Sequence, residues 1–328
     1  MKHIRTLLCG LVAATFAVGA AFADTYPSKP VKILVPYAPG GATDIVARLL
    51  ADRLREALGQ SFVVDNKQGA FGILAIEEMA RSKPDGYTLM VGNVSTNAIT
   101  PVIYSKKFKI DYQKDVVAVA RLAVIPAVVV STTAGGFDAK TLGDLIAYAK
   151  ANPGKLRYTS AGVGSYPHFD MAVFAKKAGF EAVHVPTKAG AAGMINDLIT
   201  GDVQTAFINA ASSLGVVKSG DLRPLAVITK TRMKEYPDVP TMTELGFAGV
   251  GTFNWQGLFA PAGTPKEVLA TLHKAVAEAL AHPAMVEAFQ KQIITADPSK
   301  SPEDAQAWLA SEIELWRKTV AEANVSLE

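Results

Sequence analysis

Cysteine is almost absent from this sequence. The only cysteine among its 328 residues is Cys9, which lies within an N-terminal segment that we expect to be removed. The remaining chain then holds no thiol, so disulfides, thiol nucleophiles and cysteine-bound metals are excluded.

A hydrophobic run long enough to cross a membrane is also missing. Lys2 and Arg5 precede an apolar stretch over residues 7–20, and Ala21-Phe22-Ala23 follows it. This order predicts an export signal that is cleaved after Ala23. The stretch is shorter than the roughly 20 residues that span a bilayer, and no later segment supplies a charge-free run of that length. We therefore expect an exported protein of the periplasm.

The expected mature chain has little net charge. Of the 33 lysines and arginines, Lys2 and Arg5 lie in the signal, which leaves 31 basic residues against 30 acidic ones. So small a charge argues against a nucleic-acid partner. The 305 residues after Ala23 exceed what one compact core usually holds, so we expect two lobes in a monomer.

The usual signatures of catalysis are absent. The sequence contains no Gly-x-Ser-x-Gly elbow, no His-Glu-x-x-His pair, no P-loop and no complete dinucleotide fingerprint. The histidines beyond the signal show no metal-ligand spacing; they are His168, His184, His273 and His282. We expect no cofactor, no metal site and no enzymatic activity.

One rival interpretation is a secreted serine hydrolase. Its nucleophile would be Ser95, Ser160 or Ser165. Its base and acid would be His168 and a nearby residue such as Asp170. The missing nucleophile elbow is the weakness of this interpretation.

Short apolar runs alternate with helical periodicity along the chain. The strand-like runs are Val31–Val35, Phe62–Val64, Tyr87–Val91, Val116–Ala120, Ala127–Val130, Leu156–Ser160, Val203–Ile208 and Pro224–Ile228. This alternation predicts an α/β fold with parallel strands and crossover helices. Helix starts with capping-box residues are expected at 141–144, 264–267 and 301–304.

A glycine turn follows the first of these runs. It is Val35–Asp44, Val-Pro-Tyr-Ala-Pro-Gly-Gly-Ala-Thr-Asp, and a helical pattern comes after it. Two adjacent glycines allow close approach of a ligand, and a helix start offers unpaired N–H groups and partial positive charge. The turn therefore predicts a carboxylate or phosphate cradle. Its candidate ligand-binding residues are Tyr37, Ala38, Gly40, Gly41, Thr43 and Asp44.

A second glycine turn, Thr159–Ser165, repeats this arrangement further along the chain. It follows a strand-like run and precedes an amphipathic segment. Its backbone N–H groups and hydroxyls are suited to a second anionic group. The candidate residues are Ser160, Ala161, Gly162, Gly164 and Ser165. His168, just beyond the turn, is either a structural cap or a ligand contact.

Polar side chains also follow other strand-like runs. One such loop carries Ser95, Thr96 and Asn97 at a strand end, where open α/β sheets place ligands. Asn209 follows another run, and Trp255 lies in a later one. Each of these residues either faces a cleft or has a structural role.

Two breaks divide the chain. Ile125-Pro126 and the proline-containing segment 234–240 interrupt regular structure. If the chain passes between lobes at both, residues 24–125 and 236–328 together form lobe 1 and residues 126–235 form lobe 2. Two crossings make a hinged cleft.

Several motifs carry a resemblance to a known family. They are Tyr37-Ala38-Pro39-Gly40-Gly41-x-x-Asp44, Asn66-Lys67-x-Gly69-Ala70-x-Gly72, Lys83-Pro84-Asp85-Gly86-Tyr87, Tyr158–Ser165, Pro237-Asp238-Val239-Pro240-Thr241 and Gly257–Pro265. With the signal peptide, and in this order and spacing, they resemble the Bug-type tripartite tricarboxylate transporter receptors. The resemblance covers essentially all of the mature chain.

The resemblance implies a two-lobed type II periplasmic binding protein, or Venus flytrap, with mixed sheets and two interlobe crossings. It implies a small-molecule carboxylate ligand, either a di- or tricarboxylate or an aromatic acid, and delivery to a two-component membrane permease. A module that serves a membrane sensor kinase instead of, or besides, a permease is an alternative that the sequence leaves open.

The resemblance also implies roles for particular segments. By position, Tyr37–Asp44 and Thr159–Ser165 would grip one carboxylate, partly through water. Ser95–Asn97, Thr187–Gly190 and Asn209 would read the remote end of the ligand. Gln68 stands where proline is common, and Thr187 where tyrosine is common. A threonine there would widen or re-polarise the remote pocket, so the resemblance does not fix the identity of the ligand.

Overall fold

The computed structural model describes residues 26–323, so the predicted export signal and its cleavage site lie outside the described residues. The strands are β1 Val31–Val35, β2 Phe62–Asn66, β3 Thr88–Asn93, β4 Val116–Ile125, β5 Ala127–Thr132, β6 Arg157–Ser160, β7 Val183–Pro186, β8 Thr205–Asn209, β9 Leu222–Val227, β10 Asn254–Pro261 and β11 Thr295–Ala296.

The helices alternate with these strands over most of the chain. They are α1 Ala42–Leu58, α2 Ile73–Arg81, α3 Thr100–Ile103, α4 Tyr112–Asp115, α5 Leu142–Ala151, α6 Tyr166–Ala178, α7 Gly190–Ile199, α8 Ala210–Lys218, α9 Lys266–Ala281, α10 Pro283–Lys291 and α11 Pro302–Ala323. A π-helical turn, Ser95–Ile99, leads into α3. Among the described residues, no helix combines the length and apolarity needed to cross a membrane.

The strands form two mixed sheets, which confirms the α/β fold class. The first has the order β11-β4-β10-β3-β1-β2 and the second β7-β6-β8-β5-β9. Strands joined through helices pair in parallel, as in β1 with β2 and β6 with β7. The parallel strands expected from the alternation are present, and β4, β10, β5 and β9 pair antiparallel, as in the mixed sheets that the resemblance implies. We call the parts built on these sheets the first and second lobes.

The chain changes sheet at two places. β4 ends at Ile125 in the first sheet, and β5 begins at Ala127 in the second. The return lies between Val227, the end of β9, and Asn254, the start of β10. The residue boundaries of the two lobes at 125/126 and 235/236 stay a prediction.

Local capping signals had mixed outcomes. Thr141 and Asp144 form the expected capping box at α5. At α11, Asp304 N–H donates to Ser301 Oγ at 3.2 Å. The box expected at 264–267 is wrong, because Thr264 Oγ1 donates back to Pro261 O at the end of β10 and α9 begins without a side-chain cap.

Candidate functional site

Two adjoining cavities lie between the lobes. The inner cavity has a volume of about 40 Å³, and the outer one about 370 Å³. Both are lined by Tyr37 and Ser95 of the first lobe and Ala161 of the second. A ligand placed here therefore contacts both lobes. The polar side chains around the inner cavity are Tyr37, Thr43, Asn93, Ser95, Tyr166, Asn209 and Asn254.

Four helix N-termini meet at the inner cavity. They belong to α1, α6, α7 and α8, and the lining residues Thr43, Tyr166, Ala191 and Asn209 mark them. The first turn of a helix has N–H groups without intrahelical acceptors and carries partial positive charge. None of the described residues that line this cavity is an aspartate, glutamate, lysine, arginine or histidine. Its electrostatic preference for an anion therefore comes from backbone dipoles.

The first glycine turn takes the predicted strand–turn–helix form. Gly40 has φ 90°, and Gly41 is the N-cap of α1. Tyr37, Ala38, Gly41 and Thr43 line the inner cavity, whereas Gly40 does not. Most of this turn therefore lies at the inner cavity, and its contact with a ligand stays a prediction.

Asp44 was predicted to contact the ligand, but it lines neither cavity. Its Oδ2 accepts from Gly40 N–H and from Arg48 Nε, each at 2.9 Å, and its Oδ1 accepts from Asn66 Nδ2. Burial raises the pKa of Asp44, but the hydrogen bonds from Arg48, Gly40 and Asn66 outweigh it and hold the pKa below its usual value. The Asp44 carboxylate therefore stabilises the turn from the side that does not face the cavities.

Asn93, at the end of β3, organises the first-lobe wall. Tyr37 OH donates to Asn93 Oδ1 at 3.0 Å, and Asn93 Nδ2 donates to Thr43 Oγ1 at 3.1 Å. Because Thr43 Oγ1 accepts this bond, its own hydrogen is available to the cavity. Burial raises the pKa of Tyr37 to about 12, so the phenol stays protonated.

Thr96 and Asn97 do not reach either cavity. Thr96 Oγ1 donates to Asn97 Oδ1 at 2.7 Å, and Asn97 Nδ2 donates to Tyr112 OH at 3.0 Å. The π-helical turn directs these side chains into the lobe, and only Ser95 faces the cleft. The expectation that Thr96 and Asn97 contact ligand is therefore not supported by their positions.

Hydrogen bonds join the lobes around the cavities. Ser95 Oγ accepts from Tyr166 N–H at 3.1 Å, Ser212 Oγ accepts from Ala42 N–H at 3.2 Å, and Tyr104 OH donates to Val163 O at 3.2 Å. The first two lie at helix starts. The structure therefore has the two lobes in direct contact about the site.

The second glycine turn is largely bonded to itself. Ser165 Oγ donates to Gly162 O at 2.7 Å, and Ser160 Oγ pairs with His184 Nε2 at 2.7 Å. Ala161, Gly164 and Ser165 line the outer cavity, but Ser160 and Gly162 line neither. The sequence had suggested that both hydroxyls face a ligand. Instead, both are hydrogen-bonded within the protein.

His168 lies beneath this turn and lines neither cavity. Its Nδ1 accepts from Gly164 N–H at 3.1 Å. Burial lowers the pKa of His168 to about 4, so the ring is neutral near pH 7. Of the two roles that the sequence left open for His168, a cap or a ligand contact, this bond is the cap.

The groups of the rival hydrolase are not assembled as a triad. Ser165 Oγ is bonded to a carbonyl and His168 Nδ1 to a backbone N–H. Asp170 accepts from Thr252 N–H at 2.9 Å and from Thr252 Oγ1 at 2.7 Å. Ser165, His168 and Asp170 are therefore each hydrogen-bonded to another part of the protein and not to one another.

The candidates for the remote end of the ligand divide between the two cavities. Thr187 lines the outer cavity, and Asn209 lines the inner one. Asn209 Oδ1 accepts from Ser212 N–H at 2.8 Å, so it also caps α8. Lys188 is the only charged side chain among the described residues that line the outer cavity, and it makes no ion pair with any of them.

Phe71 is a cleft residue that the sequence did not single out. It has φ 57°, after Ala70 with φ 46°, and its ring stacks on Tyr104 with centroids 4.7 Å apart. A Cβ at Gly162 would lie 3.2 Å from the ring, so Phe71 packs closely against the second lobe. Left-handed backbone at non-glycine residues clusters at functional sites.

Tyr166, Asn93 and Asn254 are other site residues that the sequence did not single out. Asn93 and Asn254 lie at the ends of strands, which was the available signal. Trp255, the next residue, faces the other way and donates from Nε1 to Glu312 Oε2 at 2.6 Å. It lines a separate groove behind the cleft.

Comparisons with known proteins agree with this geometry. A family model described as a tripartite tricarboxylate transporter family receptor matches residues 46–324. Protein BugT of Bordetella pertussis is 33% identical over 330 residues, and the match covers 100% of both chains.

Two solved structures with bound carboxylates are similar to this chain. Rpa4515 of R. palustris with adipate is 33% identical with a TM-score of 0.86, over 92% of this chain and 99% of that one. MatC from Rhodopseudomonas palustris with bound malate is 28% identical with a TM-score of 0.82, over 90% and 100%.

Family members are periplasmic receptors, and such structural neighbours are solute-binding proteins with a two-lobed fold. The extent of the family match and the identity to BugT decide the assignment. This chain belongs to the tripartite tricarboxylate transporter receptor family.

Proposed function

We propose that this protein is a non-enzymatic receptor of the periplasm that captures an organic carboxylate by closure of its two lobes and delivers it to a tripartite tricarboxylate-type permease. The observation that carries the proposal is the inner cavity, where four helix N-termini meet without a lining acid or base.

The inner cavity is suited to one carboxylate. First-turn N–H groups of α1 and α7 donate to its oxygens, and the hydroxyls of Thr43 and Ser95 add two donors. The Ser95 hydroxyl is available because its oxygen already accepts from Tyr166 N–H. Without a buried cation, the carboxylate is held by hydrogen bonds alone, which favours release to a permease.

The outer cavity accommodates the rest of the ligand. Its volume of about 370 Å³ exceeds what a second small group needs, so it takes a chain of several carbons or a ring. Lys188 supplies a cation at its edge without an acidic partner among the described residues. A dicarboxylate with its second carboxylate near Lys188 is therefore the ligand class that this site supports best.

Closure is supported by the contacts that cross the cleft. The bond from Tyr166 to Ser95 and the packing of Phe71 on Gly162 both require the lobes to be close together. These contacts enclose the cavities between the lobes. Opening would break the bonds that Tyr166 N–H, Ala42 N–H and Tyr104 OH make across the cleft, and the two sheets would stay joined by the two crossings.

A panel of carboxylates tests the proposal. Purified protein is titrated by calorimetry with adipate, malate, citrate and benzoate, and its thermal unfolding is followed with each. A ligand at 100 times its dissociation constant raises the unfolding free energy by about 2.7 kcal/mol. We expect binding of at least one dicarboxylate. No binding across the panel would contradict the proposed function.

Delivery to the permease is tested separately. We expect a strain that lacks this receptor to lose uptake of the radiolabelled ligand identified by the panel, and a plasmid copy to restore it. Binding in vitro with unchanged uptake in the deletion strain would contradict the transport role.

A further inference from the structure

The chain passes from the first sheet to the second within a single residue. β4 ends at Ile125 in the first sheet, and Ala127 already pairs with Asn209 in the second. The residue between them, Pro126, accepts at its carbonyl oxygen from Ala210 N–H at 2.9 Å. The first crossing between the lobes therefore takes place at Pro126.

The return crossing follows a longer segment, residues 228–253, which we call the return segment. This segment packs on the second lobe. Thr241 forms a bridge with Val227 of β9, and the Phe247 ring packs edge-to-face on Phe174 of α6 with centroids 5.0 Å apart. Although it comes after the second sheet in sequence, the return segment therefore belongs with that sheet in space.

Two hydrogen bonds tie the end of the return segment to the second lobe. Asp170 Oδ2 accepts from Thr252 N–H at 2.9 Å, and Asp170 Oδ1 accepts from Thr252 Oγ1 at 2.7 Å. Two residues later, Asn254 pairs with Ile125 in the first sheet. Phe253 therefore joins a residue held by the second lobe to a residue held by the first.

Asp170 connects this crossing to the cleft through α6. The helix begins at Tyr166, which lines the inner cavity and donates from its N–H to Ser95 Oγ of the first lobe. Asp170 lies about one turn further along and is 5% exposed. Because a buried carboxylate is costly unless donors satisfy it, its two bonds to Thr252 favour a fixed geometry. One helix thus carries a cleft contact and the anchor of the return crossing.

We propose that Asp170 is a positioning residue, which fixes the return segment to the second lobe and so places the pivot of that crossing at Phe253. The inference rests on the proposed function, because it concerns how the lobes close on a ligand. Together with Pro126, Phe253 forms the axis about which the lobes rotate, since a hinge needs only a few residues that absorb the backbone rotation. The boundary between the lobes is then at 252/253 instead of 235/236.

Distances between spin labels test which lobe carries the return segment. Residues 24–328 contain no cysteine, so labels attach only at introduced ones. The exposed sites are Ala248→Cys in the return segment, Lys150→Cys in the second lobe and Glu278→Cys in the first. They are combined in pairs and measured by double electron–electron resonance without ligand, with saturating adipate and with saturating malate.

We expect ligand to change the distance between positions 248 and 278 and to leave that between 248 and 150 constant. A change between 248 and 150 would show that the return segment does not move with the second lobe, which would overturn the inference. Binding without a change in any pair would overturn the inference and lobe closure, while carboxylate binding would stand. A wild type that binds neither probe nor any acid of the panel would instead overturn the proposed function.

Asp170→Leu tests the role of the carboxylate. Without its bonds to Thr252, the distribution of distances between positions 248 and 150 should broaden. Closure must then order about one more residue of backbone, so we expect adipate or malate to bind roughly 10-fold more weakly by calorimetry. Asp170→Asn should restore the wild-type affinity, because its amide oxygen can accept from Thr252 N–H while its amide nitrogen donates to Thr252 Oγ1.

Asp144→Leu is the control for a purely structural effect. Asp144 also accepts from backbone N–H groups of the second lobe, at the start of α5. Its replacement should lower the unfolding temperature and leave affinity and distances unchanged. If Asp170→Leu behaves in the same way, the inference is overturned.

Thr252→Val is the second variant if leucine at position 170 prevents folding. It removes the bond from the hydroxyl, keeps the shape of the side chain and retains the bond from Thr252 N–H. We expect a smaller change in the same direction, with binding roughly threefold weaker. Wild-type affinity and distances in a folded Thr252→Val would overturn the inference as well.

Discussion

His168 and His184 stack face to face beneath the second glycine turn, with ring centroids 3.9 Å apart and planes inclined by 9°. Burial lowers the pKa of His168 to about 4. Burial lowers the pKa of His184 to about 3, and repulsion between the two rings when both are protonated contributes to this shift. Both rings are therefore neutral in the folded protein at pH 7, and His168 Nδ1 accepts a hydrogen bond from Gly164 N–H.

The stack predicts a loss of stability in acid. An unfolded histidine takes up its proton near pH 6.5, whereas folded His168 does so only near pH 4. Between these values the unfolded state binds more protons, so the free energy of unfolding falls as the pH is lowered from 6.5 to 4. We expect a loss of roughly 2 kcal/mol from this residue, measured by urea unfolding at pH 7 and pH 4.5.

The variant that tests this prediction is His168→Gln. It keeps an acceptor for Gly164 N–H but no longer titrates, so its stability should depend less on pH than that of the wild type. Asp170, whose pKa burial raises to about 7, acts in the opposite direction in wild type and variant alike and cancels in the comparison. Equal pH dependence in wild type and His168→Gln would contradict the prediction.

Gly41→Asp should abolish carboxylate binding. Gly41 has φ −80° and ψ 166°, which any residue adopts, and a Cβ there would meet only Ala191 Cβ at 4.0 Å. The variant should fold, but its carboxylate would lie at the inner cavity and repel the ligand, weakening binding by about 100-fold or more. Gly41→Asn is the matched control of equal size without charge. Similar affinities of the two variants, measured by calorimetry, would argue against an anion at this turn.

Lys188→Gln should weaken binding of dicarboxylates selectively. An exposed ion pair contributes up to about 1 kcal/mol, so we expect roughly a fivefold loss of affinity for adipate. Hexanoate has the same chain length but a single carboxylate, and its affinity should not change. The effect on adipate should also shrink as salt is raised, since exposed charges are screened. Equal losses for both acids would place the second carboxylate elsewhere.

Phe71→Ala should speed ligand release. The ring is 41% exposed, so its removal should affect stability little, but it takes away the packing between this ring and Gly162 that helps enclose the outer cavity. We expect a dissociation rate about tenfold higher by stopped-flow fluorescence, with a smaller change in the association rate. Val63→Ala, an exposed residue on β2, is the control and should leave both rates unchanged. A wild-type dissociation rate in Phe71→Ala would rule out this enclosing role.

The local pattern of the chain predicted much of the fold. The run Val31–Val35 is β1 to the residue, and both glycine turns connect a strand to a helix as expected. These features depend on neighbours along the chain: apolar periodicity, glycine at positive φ and unpaired groups at helix starts. The antiparallel pairing of β4 and β10 was not predictable in this way, because the two strands are far apart in sequence.

The sequence indicated which segments lie near the cleft, but the residue types within them did not indicate which side chains line the cavities. Asp44, Thr96 and His168 belong to the right segments, yet their side chains point away from the cavities and hold the turns. Each is polar and near a strand end, so the sequence does not distinguish it from a residue that faces the cleft. Side-chain direction depends on the packing behind the turn.

The sequence by itself determined that this chain makes an α/β fold with two glycine turns at helix starts, because these are consequences of local periodicity and backbone freedom. The tertiary structure alone decided which groups meet between the lobes. It brings Tyr166 N–H to Ser95 Oγ and joins four helix N-termini at one cavity. The bond between Tyr166 and Ser95 joins residues 71 positions apart, and its formation depends on how the two sheets pack.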